Sequence, residues 1–146
     1  MNVSSKSRYA LMALVELDLR TRGEQKPVRL TDLAAERRIP EQYLEQLFAA
    51  LRRAGVLAGH RGVGGGFTFA RRPDRVSVLA VVEALDGAPD FAPSARESSD
   101  PRERATGGAV WQAAGAAYQD VLAHTTVSDL AERELQLGAG GPAYEI

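Results

Sequence analysis

Side chains able to recognise nucleic acid occur close together between residues 41 and 61. Glutamine and glutamate can hydrogen-bond to base edges in a major groove, and arginine can contact phosphates. The residues with this chemistry are Glu41, Gln42, Glu45, Gln46, Arg52, Arg53 and Arg61. Most of them would also suit the solvated face of an ordinary surface helix. The assignment therefore depends on the elements that position these side chains.

Two short helices joined at a tight junction are predicted from residue 30 to residue 54. Thr31 can cap the first helix and is also a candidate DNA contact, and apolar residues recur at helical spacing up to residue 39. Pro40 suits the first turn of the second helix and disfavours helical angles at the preceding residue, so we expect the junction at residues 38–39. Gly55 follows the second helix as a C-terminal cap. The predicted apolar face of that helix contains Tyr43, Leu44, Leu47, Phe48 and Leu51.

A glycine-rich hairpin is predicted directly after the second helix. Residues 56–60 and 67–70 have the composition of strands, and loop 61–66 between them ends in three consecutive glycines. Such a loop can lie close against another surface, and a narrow minor groove attracts an arginine such as Arg61 at its tip. A flexible turn or a phosphate cradle would have a similar composition. A Walker loop is excluded, because no Gly-Lys-Ser/Thr follows and no helix begins after the glycines. The order of helix, helix and hairpin predicts a winged helix-turn-helix.

Composition limits the functions open to this chain of 146 residues. It has no cysteine, which excludes disulfides, thiolate metal sites and cysteine nucleophiles. Its two histidines, His60 and His124, lie in different segments, which favours solvated imidazoles over metal ligands. No paired acid and base indicate an enzyme, and we expect no cofactor. Without a long apolar run or a signal peptide, we expect a cytoplasmic protein that does not enter a membrane.

The net charge of −1 conceals a marked asymmetry along the chain. Residues 1–75 carry 14 Lys and Arg against 8 Asp and Glu, a charge of +6, whereas residues 76–146 carry 4 against 11, a charge of −7. A basic amino-terminal half followed by an acidic half fits a module that binds a polyanion, joined to a part that faces away from it.

Two further helices complete a predicted DNA-binding domain at residues 1–87. Ser4 and its neighbours can cap the first helix, whose start carries Lys6 and Arg8 as candidate phosphate contacts. Ser77 can cap another helix, which ends at Gly87.

The rest of the chain is predicted to contain a flexible connection, two helices and a tail. The connection covers residues 88–108, the helices occupy residues 109–135, and the flexible tail covers residues 136–146. The first of these helices has an apolar stripe too wide for a lone exposed helix, so we expect it to form a symmetric dimer interface or to pack within its own chain. The residues expected at the dimer interface are Trp111, Ala114, Tyr118, Val121 and Leu122.

The sequence resembles the Rrf2 family of bacterial winged-helix regulators from Ser5 to Leu130. The resemblance rests on the motifs at residues 6–10, 43–47 and 61–67, which read KSRYA, YLEQL and RGVGGGF. It implies a mainly α fold with a small β wing and a C-terminal dimerisation helix, and a homodimer that binds double-stranded DNA. It also implies base reading by Tyr43, Glu45 and Gln46, with the wing entering the minor groove at Arg61, Gly62 and Gly64.

Many members of this family hold an iron–sulfur cluster through cysteines that precede the tryptophan-led helix. This chain has none, so the resemblance does not extend to a cluster. One alternative is an engineered form of a cluster-binding regulator, in which Ser94, Ser99 or Ala105 stands in place of a cysteine. A second alternative is an interaction adaptor whose winged helix no longer binds DNA.

The chain is most similar to cluster-free members of the family that repress genes of cysteine metabolism. These relatives also have an acidic connection, a tryptophan-led helix, a Thr-Thr cap and a terminal isoleucine. The similarity implies a protein partner, O-acetylserine sulfhydrylase, the cysteine synthase. The partner-binding tail would be Tyr144, Glu145 and Ile146, with Ile146 in the enzyme's substrate pocket. A frayed terminus is the simpler interpretation of the same residues.

Overall fold

The computed structural model describes residues 3–89 and 100–139, the last of these by its backbone alone. In these ranges, helices surround one two-stranded antiparallel sheet, which confirms the predicted mainly α fold with a β wing. The elements are α1 (Ser5–Thr21), α2 (Leu30–Arg37), α3 (Glu41–Arg53), β1 (Leu57–His60), β2 (Gly66–Phe69), α4 (Val78–Asp86), α5 (Pro101–Glu103), α6 (Ala109–His124) and α7 (Val127–Ala139). A 3-10 turn covers Pro73–Arg75, and a π-helical turn covers Arg104–Gly108.

Helix α1 forms the centre of the core. It packs against α2, α3, α4 and α7, and its inward face is fully buried at Ala10, Ala13, Leu14 and Leu17. The small alanines allow the neighbouring helices to approach closely, and the leucines fill the space between them. Leu14, Val15 and Leu17 of α1 are buried, whereas Tyr9 and Met12 on other sides of the helix are exposed.

Two serines attach the start of α1 to the end of α4. Ser4 caps α1 by accepting a hydrogen bond from the Ser7 amide, as expected. The hydroxyls of Ser4 and Ser7 both donate to Oδ2 of Asp86, at 2.5 and 2.7 Å. Because Ser7 is fully buried, these hydrogen bonds satisfy a hydroxyl that would otherwise be costly to bury. Lys6 and Arg8, on either side of it, remain exposed.

Helix α2 begins at Leu30, and the proposed cap at Thr31 is wrong. The N-cap residue is Arg29, which makes no side-chain capping hydrogen bond. Val28 exchanges two backbone hydrogen bonds with Phe67 of β2, at 3.0 and 2.8 Å, so the extended chain ends there and the helix begins at Leu30. The Thr31 hydroxyl instead donates to Oε1 of Glu41 at 3.0 Å, which joins α2 to α3.

The junction between α2 and α3 lies at residues 38–39, as predicted. Arg38 adopts the left-handed conformation with φ 54°, and its amide caps the end of α2. Pro40 is the N-cap of α3, one residue outside the helix rather than in its first turn. Leu44, Leu47, Phe48 and Leu51 are buried as predicted, and Gly55 follows α3 with φ 78°.

The predicted connection at residues 88–108 is wrong over its last eight residues. The Asp100 carboxylate accepts a hydrogen bond from the Arg102 amide, and Pro101 begins a helix. An Asp-Pro pair favours such a start, because proline needs no hydrogen-bond partner in the first turn. Helical backbone continues through the π turn into α6. Residues 90–99 lie outside the described ranges.

Helix α7 returns to the core and is longer than the predicted short helix. Thr126 and Asp129 cap each other's backbone amides at 3.1 and 2.9 Å, which confirms the cap at the Thr-Thr pair. Val127 and Ala131 are buried, and α7 packs on α1. The helix continues to Ala139, so the tail predicted from residue 136 is wrong at its beginning. A glycine such as Gly138 costs an exposed helix end only about 1 kcal/mol and does not stop it.

The Arg37 side chain connects three helices. At the end of α2, it donates to Glu16 of α1 at 2.9 Å and to both carboxylate oxygens of Glu134 of α7 at 2.6 and 3.1 Å. The side chains of Arg37 and Glu16 are only 14% and 13% exposed, so the charge-assisted hydrogen bond between them is largely shielded from solvent, whereas Glu134 is 44% exposed. Through Glu16 and Glu134, Arg37 therefore fixes α1 and α7 to α2, the first helix of the helix-turn-helix.

We expect Arg37→Ala to lower the free energy of unfolding by about 1.5–3 kcal/mol, because it removes hydrogen bonds between charged groups at a poorly exposed position. Arg72→Ala is the control, since Arg72 pairs with Asp74 at 2.6 Å but is 75% exposed, and exposed pairs contribute less than about 1 kcal/mol. Urea unfolding at one fixed protein concentration measures both. Equal losses in the two variants would contradict this role for Arg37.

Candidate nucleic-acid interface

The outward face of α3 presents the polar side chains singled out in the sequence. Gln42, Glu45 and Gln46 are exposed, while Leu44 and Leu47 anchor the opposite face of the same turns in the core. Amide and carboxylate groups are therefore held on a rigid helix, free of contacts with the core. Glu41 is exposed as well, but one of its carboxylate oxygens accepts the hydrogen bond from Thr31.

Tyr43 is positioned differently from its polar neighbours. Its ring meets Tyr9 of α1 edge to face, with 5.8 Å between centroids, and it is half-buried. Such pairs are worth about 0.5–1.5 kcal/mol beyond the area they bury. Tyr43 thus helps to set the orientation of α3 on α1. Arg8 precedes Tyr9, so one of the candidate phosphate contacts on α1 adjoins this contact.

The end of α3 is joined to the hairpin through Arg52. A Cβ added at Gly59 of β1 would lie 3.7 Å from Cδ and 3.8 Å from Nη1 of Arg52, so this arginine runs across the strand where a glycine leaves room. Arg52 and Arg53 are both exposed. Phe48 of α3 also meets Phe67 of β2 edge to face, with 5.1 Å between centroids. The helix and the hairpin therefore form one packed unit.

The hairpin has the predicted antiparallel pairing, from Leu57 opposite Phe69 to His60 opposite Gly66. Each strand is within one residue of its expected bounds. Val28 adds an isolated antiparallel bridge to Phe67. The exposed Arg29 follows this bridge, beside the base of the hairpin, and was not among the predicted contacts.

The loop of the hairpin has Val63 rather than Arg61 at its tip. Gly62 and Gly64 have φ of 90° and 78°, and Val63 between them is completely exposed. Arg61 is exposed directly after β1, at the start of the loop. The difference arises because the turn is closed by a hydrogen bond from the Gly65 amide to the Gly62 carbonyl at 3.0 Å.

The second and third of the consecutive glycines are needed for close backbone contacts. A Cβ at Gly65 would lie 2.4 Å from the His60 carbonyl oxygen, and one at Gly66 would lie 2.3 Å from the Val28 carbonyl oxygen. No other residue fits without a shift of the backbone. These glycines therefore keep the loop tight and let the segment at Val28 pair with the hairpin.

Helix α6 leaves a wide apolar surface uncovered within the described chain. Gly115 is its sole buried residue, whereas the exposed fractions of Val110, Trp111 and Val121 are 59%, 55% and 63%. Ala114 is exposed, and Tyr118 and Leu122 are half-buried. The helix contacts α4, so one side rests on the domain. Val110, Ala114 and Val121 lie on one outward line at helical spacing.

Within residues 3–89 and 100–139, no three histidine, aspartate or glutamate residues are arranged to hold a metal ion. Nor does any helix in those ranges have the length and hydrophobicity to cross a membrane. Thiolate ligands for an iron–sulfur cluster are absent, because the whole chain lacks cysteine.

Comparison with known proteins identifies the family. A family model described as an iron-dependent transcriptional regulator, Rrf2, matches residues 3–133. The chain belongs to the Rrf2 family. This finding confirms the resemblance found in the sequence, and the family's proteins are DNA-binding regulators of transcription.

Relatives named IscR and CymR match most of the chain. CymR from Bacillus subtilis is 34% identical over 131 residues, which is 90% of each chain. IscR from Erwinia tasmaniensis is 33% identical over 135 residues, 92% of this chain and 81% of that protein. IscR from Aliivibrio salmonicida is 41% identical over only 90 residues, so this match spans about half of that protein, at 52%.

Solved structures agree with the winged-helix architecture. The structure of the global cysteine regulator CymR of B. subtilis superposes with a TM-score of 0.77 at 32% identity, covering 91% of this chain and 98% of that one. The structure of T. potens IscR superposes with a TM-score of 0.71 at 29% identity, covering 92% and 88%.

Proposed function

We propose that this Rrf2-family regulator is a homodimeric, sequence-specific repressor that works without an iron–sulfur cluster. The proposal rests on one observation: the exposed face of α3 and the wing form one packed unit. Arg52, which lies against Gly59, and the contact between Phe48 and Phe67 hold the two together. A helix of this kind fits the major groove while the wing reaches the adjacent minor groove.

Direct base contacts are assigned to the exposed Gln42, Glu45 and Gln46. Tyr43 is proposed to reach a base or phosphate through its hydroxyl edge, because its ring is engaged with Tyr9. The phosphate contacts are assigned to Arg52 and to the rest of the exposed cationic set. That set comprises Lys6, Arg8, Arg29, Arg53 and Arg61. Thr31 and Glu41 are proposed to fix the approach of α2 to α3 rather than to read DNA independently.

The dimer is supported by the apolar surface of α6. A single chain leaves Val110, Trp111 and Val121 more than half exposed, and monomeric proteins rarely keep so wide an apolar strip in water. Packing α6 against the same helix of a second copy would cover it with two-fold symmetry. A two-fold dimer would also match two operator half-sites about one DNA turn, or 34–36 Å, apart.

A cluster-free state is proposed from the donor set of the chain. Cysteine thiolates hold clusters in proteins, and none is available here. Ala105 is exposed in the π turn before α6. It is one of the three positions at which an engineered variant would have replaced a cysteine. Ser94 and Ser99 lie outside the described residues.

A gel-shift screen of DNA upstream of the protein's own gene and its neighbours distinguishes a repressor from an adaptor with a degenerate winged helix. A shifted band that competes with its own sequence but not with unrelated DNA is the expected result. Absence of any sequence-specific shift at low salt would favour the adaptor.

We expect Gln46→Ala and Arg61→Ala each to weaken operator binding by about 1–3 kcal/mol while leaving the fold intact, because both side chains are exposed and make no contact with the core. Gln136→Ala and Arg133→Ala are the matched controls, since both residues are exposed on α7 and neither belongs to the proposed reading surface. Fluorescence anisotropy at matched salt measures all four. Unchanged affinity in both test variants would overturn the proposed reading surface.

We expect Val121→Asp to convert dimers into monomers, since it places a charge within the proposed α6 interface. Val121 is preferable to Leu122, which is half-buried within its own chain, so that a substitution there would also disturb the fold. Ala123→Asp, on the opposite side of the same helix, is the control. Light scattering that finds wild-type monomers at micromolar concentration, or dimers in both variants, would contradict the interface.

We also propose that the regulator controls genes of cysteine or sulfur metabolism, on the basis of its similarity to CymR, the global cysteine regulator of B. subtilis. The proposed partner is O-acetylserine sulfhydrylase, bound through Tyr144, Glu145 and Ile146, which lie outside the described residues. In calorimetry, deletion of Ile146 should abolish binding to the enzyme, and O-acetylserine should compete with the intact protein. Absence of binding by the intact protein would exclude this partner.

A further inference from the structure

A cavity of about 440 Å³ lies where the end of α1, the base of the wing and α7 meet. Its volume falls within the range of small-molecule sites in proteins, about 300–1,000 Å³. The lining comes from five parts of the chain: α1, the loop at residues 22–25, β2, the 3-10 turn and α7. A ligand here would touch both the wing and the C-terminal helix.

Buried polar residues are concentrated on the wall of this cavity. In the described ranges, four polar or charged residues are buried, and Asp18, Thr21 and Thr68 among them line the cavity. The Thr21 hydroxyl donates to the Leu17 carbonyl at 2.8 Å, and the Thr68 hydroxyl lies 2.9 Å from His60 Nε2. Both threonines are therefore satisfied within the protein.

The Asp18 carboxylate is poorly compensated by comparison. Asp18 is only 5% exposed, and the hydrogen bond found for its side chain in the described ranges comes from the Ser128 hydroxyl at a long 3.3 Å. Burial raises the pKa of Asp18, while the Ser128 hydrogen bond and the charge of Arg22 oppose this rise. A buried carboxylate of this kind gains most from a donor that carries positive charge.

The arginines of the lining are already neutralised by other acids. Arg22 pairs with Glu132 at 3.0 Å, and Arg72 pairs with Asp74 at 2.6 Å. Among the acidic residues of the cavity wall, Asp18 and Glu24 take part in none of the described ion pairs. The lining as a whole therefore carries a charge of about −2 at neutral pH, which attracts a cation.

We propose that this cavity is an effector site for a small organic amine, whose ammonium group donates hydrogen bonds to the Asp18 carboxylate and lies near Glu24. A cation of this size fits the cavity better than a bare metal ion does. The described residues offer no group of three acidic or histidine ligands here, whereas an ammonium group needs only one or two carboxylates.

The consequence of binding rests on the proposed DNA-binding function. Thr68 and Phe69 of β2 face the same cavity as Ser128 and Glu132 of α7. A bound amine would thus stabilise one arrangement of the wing, the β1–β2 hairpin, relative to α7. The site gives a regulator without cysteine a means of sensing a metabolite that is independent of the C-terminal tail.

Isothermal titration of the intact protein with 1,4-diaminobutane, in the absence of DNA, tests the site directly. We expect saturable binding that weakens by about tenfold or more in Asp18→Asn, because the amide cannot form the charged pair. Asp120→Asn is the control, since Asp120 is exposed on α6, outside the cavity, and should keep wild-type affinity. Glu24→Gln should weaken binding of the diamine less than Asp18→Asn does. Because Glu24 is exposed, this substitution tests the cavity without disturbing the core, even if Asp18→Asn fails to fold.

Equal affinity of wild type and Asp18→Asn, no binding of the diamine, or binding of Mn²⁺ in place of the amine would each overturn the proposal. The DNA-binding function is tested separately. If Gln46→Ala lost DNA binding and kept amine binding, the effector site would stand. Retained DNA binding without any amine binding would remove the effector site alone.

Discussion

The burial of α1 against four other helices is the interaction on which the rest of this structure depends. Its apolar face supports α2 and α3 at one side and α7 at the other, and its first turn is fixed to α4 by Ser4, Ser7 and Asp86. Each proposed contact surface is built on an element that packs on this helix or on its neighbours. The orientation of α3 therefore depends on core packing as well as on the Tyr9–Tyr43 contact.

The basic amino-terminal half and the acidic carboxyl-terminal half of the chain also form ion pairs with each other, a role beyond the polyanion binding expected from composition. Glu132 and Glu134 of the acidic half pair with Arg22 and Arg37 of the basic half, so part of the asymmetry joins α7 to the winged helix. The pair formed by Arg22 and Glu132 is part of the wall of the proposed effector cavity. This linkage suits a regulator in which the C-terminal helices and the DNA-reading elements respond together.

Elements with strong local signals could be predicted from the sequence. Helical spacing predicts the four buried residues of α3, Pro40 predicts the junction at residues 38–39, and the glycines predict the hairpin. Features set by distant partners could not. The start of α2 depends on the pairing of Val28 with Phe67, and Asp18 is buried through contacts with α7 that no local pattern reveals. The helix from Pro101 did have a local signal, the Asp-Pro pair, which the glycine-rich composition after it obscured.

We propose that two copies of the chain, joined through α6, present two α3 helices to DNA. Hydroxyl-radical footprinting of a specifically bound operator tests this arrangement. We expect two protected half-sites related by two-fold symmetry, with centres separated by about one helical turn or a multiple of it. Protection of one isolated half-site, or of two half-sites in direct repeat, would contradict the two-fold dimer.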